Sequence, residues 1–170
     1  LGSAYYARNP AVPANRTVMA INMDGASVNG PTRDVLVVGA GKSELEDTLA
    51  RFAAAQGRTV KPEEFPERGS FYRSDHFNLA KVGIPVLYAS GGLDLVNGGV
   101  SRGRELSNDY IANRYHKPQD QFDPNWDLSG QMQDLQLLYN VGRFYADGTQ
   151  WPNWKPTAEF YPIRQQSMKQ

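Results

Sequence analysis

The sequence predicts an α/β fold, with a mostly parallel sheet and flanking helices. Two observations lead there. Short, mostly apolar runs bounded by Pro, Gly and Asp alternate with segments whose apolar residues recur at helical spacing. A chain of 170 residues, 40% of them apolar, also suffices for one domain with its own core, here residues 1–170.

Thr17 to Met23 follows Pro10 and Pro13 and runs into the turn signal Asp24-Gly25, so it reads as a buried strand. Asp34 to Val38 is a second strand, closed by Gly39-Ala40-Gly41. Ser43 and Glu46 form a capping box, Leu45, Leu49 and Phe52 follow at helical spacing, and Gly57 ends that helix. A strand stub lies near Arg58-Thr59-Val60, and residues 61–72, with Pro62, Pro66 and Gly69, read as a loop.

Ser74 is placed to cap a short helix from Asp75 to Val82, stopped by Gly83. Ile84 to Ala89 is a third strand, its Pro85 tolerable in the first positions. Gly91 to Ser107 is Gly-rich and aperiodic, which predicts a surface loop beside a site. A long helix spans Ser129 to Asp147, with Gln133, Gln136, Asn140, Arg143 and Asp147 in one polar sector. The remaining apolar residues predict deep packing. Asp134 breaks the pattern in the first turns, where the helix dipole favours an acid. Trp151 and Trp154 are expected to strap a non-helical tail onto the body. With so few strands, the sheet reads as part of a larger one.

Charge and composition exclude several functions. Eighteen basic residues balance 18 acidic ones, with no run of like charge, so nothing favours nucleic acid. Cysteine is absent, which leaves His, Asp and Glu as the strong metal ligands. No apolar run approaches the roughly 18 residues of a membrane span. Gly41-Lys42-Ser43 lacks the upstream Gly of a phosphate loop, since position 36 is Leu36, and no Gly-x-Ser-x-Gly elbow occurs.

Three positions remain for chemistry. Asp24 ends an apolar strand, where a carboxylate costs several kcal/mol unless it is paired or holds a cation, and where α/β sheets gather ligands. The plainer alternative is that Asp24-Gly25 only begins a turn. His116 lies in a polar segment fixed by Pro118, either as a surface residue or as a metal ligand oriented by Asp120. His76, at a helix start, reads as an exposed first-turn residue.

Four stretches, in order, resemble the co-catalytic zinc aminopeptidase family, which includes leucyl-type aminopeptidases, glutamate carboxypeptidases and glutaminyl cyclases. They are Leu1 to Tyr6, Ala20 to Asp24, Arg73 to Phe77 with Gly83-Ile84-Pro85, and Tyr115 to Asp120. The resemblance implies a zinc-exopeptidase (phosphorylase/hydrolase-like) fold, incomplete here, and a peptide substrate cleaved at its N-terminus with two zinc ions. Asp24 and His116 then fall on metal-ligand positions and Tyr115 on a residue that holds the tetrahedral intermediate. Asp75, His76 and Asp120 fall on positions that line the cleft or support the ligands. It also implies export to the periplasm or beyond.

The family's His-x-Asp pair, whose Asp bridges the metals, is absent, and the one Glu-Glu, Glu63-Glu64, lies in the Pro-rich loop. The resemblance places both motifs before the segment matching Leu1-Gly2-Ser3. The expectation is therefore half a site, with weak or absent zinc occupancy and no activity in this chain alone. A non-catalytic relative that binds or assembles, and an acyltransferase that cyclises N-terminal Gln, are the competing expectations.

Overall fold

A computed structural model describes residues 1–25 and 27–169. Its helices are α1 (Gly2–Arg8), α2 (Leu45–Ala55), α3 (His76–Ala80), α4 (Gly99–Asn113), α5 (Ser129–Ala146) and α6 (Tyr161–Ser167). Its strands are β1 (Ala20–Asn22), β2 (Asp34–Val37), β3 (Thr59–Pro62) and β4 (Val86–Gly91). Among the described residues no helix is long and apolar enough to cross a membrane.

The strands form one sheet in the order β1-β4-β2-β3. β1 pairs parallel with β4, and β2 parallel with β3, while β2 and β4 run antiparallel. The sheet is thus mostly parallel, as expected, with an antiparallel seam through its middle. β1 is half-buried along its length rather than buried, because β4 is its only partner among the described residues.

Alternation along the strands divides the core in two. Val35, Val37, Leu87 and Ala89 face α2 and α5, meeting Leu45, Leu49 and Ala53 of one helix and Leu137, Leu138 and Val141 of the other. Val86 faces the opposite way, into a cluster of Phe71, Ala80, Trp154, Ala158 and Phe160. Each face is therefore closed by a different part of the chain.

The capping box forms at the start of α2. The Glu46 carboxylate accepts the backbone N–H groups of Gly41, Lys42 and Ser43, and Ser43 Oγ accepts that of Leu45. Of the two tail tryptophans only Trp154 is a strap: it is buried and donates its indole N–H to the Gly83 carbonyl at 3.0 Å. Trp151 is exposed. Arg164 of α6, buried, donates to the carbonyls of Ala14 (2.7 Å) and Thr17 (3.0 Å), the segment leading into β1.

Three expectations change. The Gly-rich stretch expected as a loop contains most of α4. A Cβ on Gly103 would stand 2.0 Å from the Leu93 carbonyl oxygen, so glycine there marks close packing of the helix on the chain behind it. α5 packs less deeply than expected, with Leu128, Met132, Leu135 and Tyr139 exposed along one stripe. Asp134 is buried and bonded to Arg58 Nη2 at 2.7 Å, so an ion pair, rather than the helix dipole, explains an acid at that position.

Candidate active site

Asp24 lies two residues beyond β1 and is exposed. One side chain holds its carboxylate: Ser74 donates its hydroxyl to Asp24 Oδ2, and Asn22 Nδ2 in turn donates to Ser74 Oγ at 3.1 Å. Tyr88 is paired with Asn22 across the strands. Its phenol is pushed up to about 12, first by burial, then by the Asp24 carboxylate. Tyr88 therefore stays a neutral donor throughout the ordinary pH range.

Ser74 does not cap a helix as the sequence predicted. α3 begins at His76, Asp75 precedes it without a side-chain cap bond, and the Ser74 hydroxyl is turned to Asp24 instead. Asp75 serves as a clamp: it accepts the Ser3 hydroxyl at 2.6 Å while Asn78 donates to Ser3 Oγ at 2.8 Å, tying α1 to α3.

His76 is not the exposed first-turn residue expected from its place in the sequence. It is 2% exposed, its ring lies 4.6 Å from Phe71 and 5.0 Å from Tyr88, and neither nitrogen has a partner. Burial pushes its pKa down to about 4 from 6.5, against the pull of Asp24 and Asp75. Between these values the unfolded chain holds the proton that the folded one refuses, so stability is lost as pH falls through that window. The melting temperature is expected to drop between pH 6.5 and 4, and to drop less in His76→Phe, which keeps a ring between Phe71 and Tyr88. Equal slopes in the two proteins would refute this role.

Tyr115 and His116 follow α4. Their rings stack at 3.9 Å, both residues are exposed, and His116 has a positive φ of 57°. Tyr115 also contributes to the field that raises the Tyr88 phenol. Asp120 accepts the Tyr110 hydroxyl at 2.9 Å, and among the described residues it makes no hydrogen bond with His116. Nor do any three His, Asp or Glu side chains among the described residues converge closely enough to hold a metal ion.

Glu63 and Glu64 follow β3. Glu63 Oε1 accepts the Gly39 N–H at 2.9 Å, and its charge is a further cause of the raised Tyr88 phenol. Glu64 pairs with Arg104 of α4 at 2.6 Å. Sequence reasoning singles out Asp24 and gives no role at this site to Tyr88, Ser74 or Glu63. The available signal was positional: Asn22 and Tyr88 are polar-tipped residues on facing strands, beside an acid at a strand end.

Compared with known proteins, residues 1–140 match the family model described as Peptidase family M28. No curated protein and no solved structure matches the chain significantly.

Proposed function

The chain belongs to peptidase family M28, and from that premise we propose that the intact protein hydrolyses N-terminal peptide bonds as a metallo-aminopeptidase. The observation that carries this reading is the Asp24 carboxylate, kept exposed just beyond a strand end while the Ser74 hydroxyl, itself held by Asn22, fixes its direction. That donor also supplies the hydrogen bonding an anionic ligand needs from behind.

Zinc is the metal the family resemblance implies. Asp24 and His116 suit it individually, one as an anionic oxygen donor and the other as an exposed imidazole. As a set they do not fit, since a zinc site takes three or four protein ligands and no three converge among the described residues. The remaining donors are proposed to come from residues outside this chain, which alone is inactive. Within it, Ser74 holds Asp24, and the exposed Tyr115 offers a hydroxyl toward a bound carbonyl.

The test is a substrate contrast. Intact protein is expected to release chromophore from a leucyl anilide and not from its N-acetyl derivative. Release should stop with a chelator, and the 170-residue chain should release none. Equal turnover of the blocked substrate would exclude an aminopeptidase. The lack of a three-donor cluster favours one other reading, a relative that keeps the fold for binding. Absence of both turnover and stoichiometric zinc in the intact protein would establish that one.

A further inference from the structure

A cavity of about 300 Å³ is walled by Glu63, Glu64, Phe65 and Arg68 of the loop after β3 and by Arg104 and Ile111 of α4. The volume is at the small end of ligand pockets, about 300 to 1,000 Å³, so the occupant is small.

The charges of the wall are unequally satisfied. Glu64 and Arg104 neutralise one another at 2.6 Å. Glu63 and Arg68 take part in no ion pair among the described residues. One Glu63 oxygen is occupied by the Gly39 N–H, and the other accepts no hydrogen bond among the described residues. The Arg68 guanidinium lies over the Phe65 ring at 3.9 Å, leaving the edge that carries its N–H groups free. One small cavity thus offers one unspent negative and one unspent positive charge, and Phe65 and Ile111 add apolar surface to its wall.

We propose that this cavity binds the zwitterion of a short peptide, the ammonium at Glu63 and the free terminal carboxylate at Arg68. The substrate class is then dipeptides with an unblocked C-terminus. The inference rests on the peptidase reading above for what happens to the ligand, and on the cavity alone for its binding.

The experiment is calorimetric titration of the intact protein with leucyl-glycine and with leucyl-glycinamide, in EDTA so that no bond is cleaved. The acid is expected to bind about five- to tenfold more tightly than the amide, the range of a charge-assisted Arg–carboxylate contact. Arg68→Met should remove most of that ratio and Arg68→Lys restore part of it. Glu63→Gln, which keeps an acceptor for Gly39, should weaken both ligands together. Equal affinity for acid and amide, or a ratio that persists in Arg68→Met, overturns the proposal. Hydrolysis of leucyl anilide without any preference for the acid would refute the cavity and leave the peptidase reading standing. Arg68-dependent binding without any hydrolysis would do the reverse.

Discussion

Asp24→Ala is expected to lower hydrolysis by the intact protein at least about a thousandfold, the several kcal/mol that a metal centre supplies, with little change in melting temperature. The two effects separate because Asp24 is exposed and its carboxylate bonds Ser74, not the core. Removing it deprives the Ser74 hydroxyl of its acceptor and leaves Ser74 its bond from Asn22. That costs on the order of 1 kcal/mol. The Tyr88 phenol should also titrate lower than about 12, since the Asp24 carboxylate is among the causes that raise it. Asp24→Asn, which keeps shape and an acceptor but no charge, should lose as much activity as the alanine variant. Retention of more than about a tenth of the activity in either variant would count against Asp24 as an anionic donor.

Arg58→Met is expected to cost about 3–5 kcal/mol, a large share of the roughly 5–15 kcal/mol that holds a typical domain folded. Arg58 is 3% exposed. Its Nη2 serves Thr32 Oγ1 (2.8 Å), the Asp34 carbonyl (3.0 Å) and Asp134 Oδ1 (2.7 Å). Methionine replaces the stem but leaves the Asp134 carboxylate buried without its cation. Asp134 Oδ2 still accepts Ser27 Oγ at 2.5 Å and the Gly91 N–H at 2.8 Å, so it cannot turn away to water. The double variant Arg58→Met with Asp134→Leu should regain part of the loss, because the stranded charge is gone while Ser27 and Gly91 remain unserved. Urea unfolding reads both effects, and a single-variant cost below about 1 kcal/mol would refute the account.

The elements legible in the sequence were those whose signals are local. The β1 and β2 runs, the Ser43–Glu46 box and the spacing of Leu45 and Leu49 each depend on residues a few positions apart. α4 was hidden because its glycines answer a tertiary demand. Gly103 is set by the Leu93 carbonyl behind it, and a helix scored by propensity alone loses confidence at every such residue. The antiparallel seam between β2 and β4 was hidden too, since strand direction is decided by how the chain returns and not by strand composition.

In the site the same division holds. Asp24 stood out as an acid closing an apolar run. Whether the Ser74 hydroxyl serves the helix that follows it or Asp24, 50 residues away, is decided only by the fold. Asp134 showed as an irregularity in α5, but its partner Arg58 lies 76 residues earlier and no periodicity connects them. His76 was misplaced because helix position fixes a face, whereas its burial comes from Phe71 and Tyr88.

The bonds from Arg164 to the carbonyls of Ala14 and Thr17 span 150 and 147 residues. During synthesis at about 5–20 residues per second, those carbonyls wait on the order of ten seconds for their guanidinium. Throughout that interval the lead into β1, and with it the approach to Asp24, lacks the anchor that later fixes it. The timing makes the segment leading into β1, and the chain that runs on to Asp24, one of the last parts of the nascent protein to be secured.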